Sequence, residues 1–256
     1  GIINRSRTTK RVLKFSILFL ILGSSIQSFG KSDYSGVAEI FLTISKELGY
    51  SVDESATLKK INDIALEIKK ESKNKEDLLD LMIKKIYALP KDEATKIGFL
   101  EEQGLLSTLM ATGAGNCFSY STLYLMLGEK LDVDLKPVLI PGHVFLRNLS
   151  RNIETTLDGK NISNENIAGL LYLDPGQTEF IVASRDHFIS GLYSNACLIA
   201  AYKGKLQEGL NYCDKAINYN AKNGEAFINK SYVEGIKGQP EESLKNAEQG
   251  VKLYPQ

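Results

Sequence analysis

Residues 113–131 read GAGNCFSYSTLYLMLGEKL, and this stretch decides how the rest of the chain is read. It sets Cys117 at the head of an amphipathic helix, behind Gly113, Gly115 and Asn116. A thiolate at a helix N-terminus is stabilised by free backbone N–H groups and by the positive end of the helix dipole. Small residues before it let the chain turn sharply into the helix and leave room for a substrate carbonyl beside the Cys117 amide. A free cysteine more often packs as a small hydrophobe, so the reading depends on partners elsewhere.

A nucleophilic thiol needs a base, and the base needs a third group to orient it. The chain has two histidines. His143 lies in PVLIPGHVFLRN, an apolar run broken by Pro141-Gly142, and is expected to open a strand. His187, in SRDHFIS, is expected at a solvated loop or helix start. After His143 the sequence passes through Asn148-Leu149-Ser150-Arg151 into NIETTLDG, whose β-branched residues predict a returning strand. A turn near Leu149 would set positions 143 and 154 opposite each other, so that Glu154 holds the imidazole. Asp174, in LLYLDPGQTEF, is the rival acid and requires a less local pairing.

A cysteine on a helix, a histidine on a strand and an acid on the adjoining strand resemble the transglutaminase-like core of the papain superfamily. The matching residues are Cys117, His143 and Glu154, in GAGNCFSYSTLYLML, PGHVFLR and NIETT, and the resemblance spans roughly Phe99 to Phe180. It implies an α+β fold and thiol chemistry on peptide or protein amides, by hydrolysis or acyl transfer through a thioester. Familiar eukaryotic transglutaminases carry aromatic residues where Asn116 and Val144 stand here, so protein cross-linking is not specifically implied. In the mechanism the resemblance implies, the Cys117 N–H is one oxyanion donor, and Gln103 is the nearest upstream amide side chain for a second.

Four regions follow. Residues 1–30 carry Arg5, Arg7, Lys10, Arg11 and Lys14 without an acid, then FSILFLILGSSIQSFG, which reads as a secretory signal peptide. The apolar run is shorter than a spanning helix needs. The expected location is therefore periplasmic or secreted, in a bacterial envelope setting. Without these residues the chain holds 26 basic and 31 acidic side chains, a net charge of −5. No basic stripe with interleaved aromatics is present, which argues against nucleic-acid binding. Residues 31–98 show three apolar stripes of helical period, a layer expected to pack on the catalytic core at 99–190. Two distant histidines and three scattered cysteines give no metal-ligand spacing, and no cofactor is implied.

Residues 191–256 obey a different rule. Overlaying 193–221 on 227–255 matches Asn195 with Asn229, Lys203 with Lys237, Gly204 with Gly238, Glu208 with Glu242 and Leu210 with Leu244. This period of 34 with helix–turn–helix patterning resembles two tetratricopeptide repeats. So short an array buries little by itself and is expected to dock on the core, either to hold a protein or peptide or to act as a buttress. Cys197 and Cys213 fall on facing helices of the first repeat, and two buried free thiols are the preferred reading over a disulfide. The competing functional class is a non-catalytic envelope scaffold that binds protein partners through the repeats.

Overall fold

The computed structural model describes residues 34–90, 104–173 and 179–254. Asp174, Gln103 and the proposed signal segment lie outside the described residues. The three predicted N-terminal helices are α1 (Val37–Glu47), α2 (Glu54–Glu71) and α3 (Asp77–Tyr87). Asp53 caps α2 by accepting from the Ala56 N–H at 2.9 Å, and Asn74 accepts from the Asp77 N–H at the start of α3 at 3.0 Å. Their apolar stripes, such as Ile61, Ile64, Ala65 and Ile68 of α2, face inward. A short α4 (Leu106–Thr112) then leads into α5 (Cys117–Leu131).

Helix α5 differs from the amphipathic helix expected. Phe118 through Leu125 are all buried, Ser119, Ser121 and Thr122 among them, as are Leu127, Gly128 and Leu131. The reason is its central position: α2, α3 and α4 pack on some faces and the sheet on another. Cys117 therefore stands at the end of the most enclosed helix of the core.

Among the described residues the sheet has three strands in the order β1 (Lys136–Ile140), β2 (His143–Asn148), β3 (Arg151–Ile153), all antiparallel. Pro141-Gly142 makes the first two-residue turn, closed by the Ile140–His143 pair, with Gly142 at φ 71°. Leu149-Ser150 makes the second, closed by Asn148 and Arg151, with Leu149 at φ 51°. The expected register needs correction. Leu146 pairs with Ile153, so continuing the ladder sets Glu154 opposite Phe145 rather than His143. The strand also ends at Ile153, and Glu154 forms an isolated bridge with Lys160. Because the displacement is an even number of residues, Glu154 keeps the face that His143 occupies and approaches it diagonally.

Beyond α6 (Asn164–Leu170), four helices complete the fold: α7 (Arg185–Tyr202), α8 (Leu206–Tyr219), α9 (Gly224–Ile236) and α10 (Pro240–Leu253). Successive helices contact one another, and α7 also contacts β1. One buried apolar cluster runs without interruption from Val37 through α5 and α7 to Val233. Gly204 and Gly238, 34 positions apart, both adopt left-handed φ, 75° and 80°. His187 lies exposed in the first turn of α7, where its N–H is accepted by Ser184. Cys197 and Cys213 are joined by a disulfide, contrary to the preferred reading of two free thiols. Facing positions on α7 and α8 bring their Cα atoms to 5.4 Å, inside the range a disulfide bridges. No helix among the described residues is long and apolar enough to cross a membrane.

Candidate active site

The helix start that carries Cys117 is built by Asn116. Its Oδ1 accepts from the N–H groups of Phe118 and Ser119 at 2.9 and 3.2 Å, and Ser119 Oγ accepts from the Asn116 N–H at 2.9 Å. This reciprocal capping box refines the sequence argument, since two of the N–H groups thought free for a thiolate are already used by Asn116. Asn116 before the helix is a cap residue that sequence rules recognise, whereas Ser119 stands where the rule for a reciprocal box expects Glu or Gln. Gly115 has a steric role here: a Cβ on it would lie 2.5 Å from Ser119 Oγ and press on the cap. Tyr120 Oη donates to the Gly113 carbonyl at 3.2 Å and so holds the approach loop from the next helical turn.

Cys117 is half-buried and is the one cysteine outside the disulfide. His143, the first residue of β2, has an 11% exposed side chain, and its Nε2 lies 2.7 Å from Glu154 Oε2. Glu154 is more enclosed, at 5% exposure. Its other oxygen, Oε1, accepts from the Thr156 N–H at 3.0 Å and from Thr156 Oγ1 at 2.7 Å. The backbone of Glu154 is tied as well: its N–H donates to the Lys160 carbonyl, and its carbonyl accepts from the N–H groups of Leu157 and Gly159. Tyr87 Oη donates to the Thr155 carbonyl at 2.6 Å, and the Tyr87 ring packs on Tyr120 at 5.4 Å between centroids. The same aromatic pair thus braces both the cysteine loop and the acid turn.

Electrostatics follow from this enclosure. Burial acts to lower the His143 pKa, but hydrogen bonds to Cys117 and Glu154, and the charges of both, overcome it and raise the value to about 10. Burial acts to raise the Glu154 pKa, and the hydrogen bond and charge of His143 with the two bonds from Thr156 overcome it and lower the value. The contact between ring and carboxylate thus favours the charged form of each. With Nε2 engaged by Glu154, Nδ1 is the ring nitrogen left for another partner.

Sequence reasoning did not find Thr156 or Glu225. Thr156 follows the acid by two residues and reaches it only because the chain turns there. Glu225, in the first turn of α9, accepts from the Gly142 N–H at 3.2 Å, next to His143, although 83 residues separate them. The family model of the transglutaminase-like superfamily matches residues 55–183. The match takes in Cys117, His143 and Glu154 and stops before α7. No curated protein matches the chain.

Proposed function

The chain belongs to the transglutaminase-like superfamily, and from that premise we propose that it is an exported thiol-dependent hydrolase or acyltransferase acting on peptide or protein amides. Cys117 is the nucleophile, His143 the general acid and base, and Glu154 the group that orients and charges the ring. The observation that carries this reading is the 2.7 Å contact of His143 Nε2, on a strand that follows the Cys117 helix, with the buried Glu154 carboxylate.

The proton bookkeeping is simple. His143 takes the Cys117 thiol proton as the sulfur attacks the amide carbon, and the carbonyl oxygen takes the negative charge facing the Cys117 backbone N–H. The imidazolium gives its proton to the leaving nitrogen as the C–N bond breaks, which leaves a thioester and a neutral imidazole. Water or an amine then attacks the thioester while His143 accepts its proton. Collapse releases the acid or the new amide, and the expelled sulfur takes the proton back from His143, which restores the thiol and the neutral ring. Glu154, held by both Thr156 donors, keeps the ring pointed at the sulfur throughout.

Two further readings support the setting. Export is favoured by the basic, then apolar, start of the chain and by the Cys197–Cys213 disulfide, a bond typical of oxidising compartments. Helices α7–α10 are two tetratricopeptide repeats: their left-handed glycines recur at 34 residues, and Gly250 packs so closely that a Cβ there would meet Ile228 at 2.5 Å. In this proposal the repeats buttress the catalytic core and hold the substrate protein beside it.

The test is chemical. Iodoacetamide at neutral pH should label Cys117 alone, and Cys117→Ala should abolish labelling without reductant. Ammonia release from glutamine peptides, with and without a primary amine, separates hydrolysis from transfer. Product formation that survives Cys117→Ala would overturn the assignment.

A further inference from the structure

A cavity of about 310 Å³ lies between the β1–β2 turn and the helices that follow the core. That volume is at the lower end of ligand pockets and suits one long side chain. Its walls include Phe118, which directly follows Cys117, and Ile140 and Pro141, which lead into the turn before His143. Val182 and Ile181 form another wall with their apolar side chains 37% and 83% exposed, surface that a bound group would cover.

The chemistry of this space is set by Glu225. Its carboxyl is enclosed by protein on most sides, although the residue as a whole is half-buried, and burial raises its pKa against the opposing Gly142 N–H bond. Oε2 takes the Gly142 N–H. No described group is bonded to Oε1, and Glu225 lines the cavity. The two basic lining residues, Lys222 and His187, are exposed. An enclosed carboxylate facing an apolar slot favours a cation on an apolar stem, because the cation supplies the compensation that burial removes.

We propose that this cleft is the subsite for a long basic side chain of the amide substrate, with Glu225 as its anchor and Phe118 and Val182 as walls for the methylene stem. The inference rests on the function proposed above, and it assigns recognition of a residue near the attacked amide rather than the attacking amine. It also gives the helical region a part in the site, because α9 contributes the anchor.

Binding decides it. The full-length protein and its Cys117→Ala variant are titrated with Nα-acetyl-arginine methylamide, with the uncharged citrulline isostere and with agmatine, following the Gly142 amide by NMR. The arginine compound should bind at least about tenfold more tightly than citrulline, as expected for a charge-assisted bond, and more tightly than agmatine. Glu225→Gln keeps an acceptor for the Gly142 N–H and should erase the preference for arginine over citrulline. Equal binding of arginine and citrulline, a preference that survives Glu225→Gln, or agmatine binding as tightly as the arginine compound would each overturn the proposal. The two readings fail separately: an unreactive Cys117 removes the chemistry while the cation preference stands, and a reactive Cys117 with no such preference removes only the subsite.

Discussion

Replacing Glu154 by Gln changes one atom and isolates the charge that His143 depends on. The Gln side chain can still accept from Nε2 through its oxygen, so the 2.7 Å contact can persist without the negative charge. In the native protein the net rise from 6.5 to about 10 corresponds to about 5 kcal/mol in favour of imidazolium, at about 1.4 kcal/mol per pH unit, after burial has acted against it. A hydrogen bond to a charged group contributes about 1.5–3 kcal/mol, so Glu154→Gln should bring the His143 value down by one to two pH units, to about 8–9. NMR titration of the His143 ring reads this directly.

Stability follows with a definite sign. A histidine whose folded pKa is raised contributes stability that is complete below about 6.5 and is lost as pH rises through about 10. The native protein should therefore lose stability across that window in denaturant unfolding, and Glu154→Gln should lose less, so that the two curves converge near pH 10. An unchanged His143 titration in the variant, or parallel stability curves, would refute the reasoning that Glu154 charges the ring.

Other consequences can be measured alongside. Thr156→Val removes the 2.7 Å hydroxyl bond to Glu154 and should slow Cys117 alkylation with little loss of stability, whereas an unaltered rate would show that the carboxylate needs no such brace. Asn116→Ala deletes the cap of α5 and should cost about 0.5–2 kcal/mol in urea unfolding, together with slower alkylation. Reducing Cys197–Cys213, which closes a loop of sequence separation 16, should cost about 3 kcal/mol. Alkylation without reductant at more than one cysteine would show that the disulfide is not formed.

Much of the site's raw material was legible along the chain because its signals are local. Helix periodicity, the Pro141-Gly142 turn and the turn at Leu149 each depend on residues within a few positions. The His143–Glu154 proximity was also within range of local reasoning, since a hairpin carries both, although its register was not. Register depends on which pair closes the turn, and Asn148 with Arg151 closes it one step later than expected. The pairing of Glu154 with His143 survived because the side-chain period of a strand is two.

The sequence by itself determined the residue types available for chemistry, the helix head that presents the thiol and the recurrence of Gly204 and Gly238 at 34 residues. Only the tertiary structure decided how these meet. It buries α5 on nearly all sides, so that His143 and Glu154 interact where water competes weakly and their charges hold one another. It brings Cys197 to Cys213 and Glu225 to Gly142 across separations of 16 and 83 residues. The physical reason is that hydrogen-bond geometry and burial depend on distances in space, whereas periodicity and turn chemistry depend on distances along the chain.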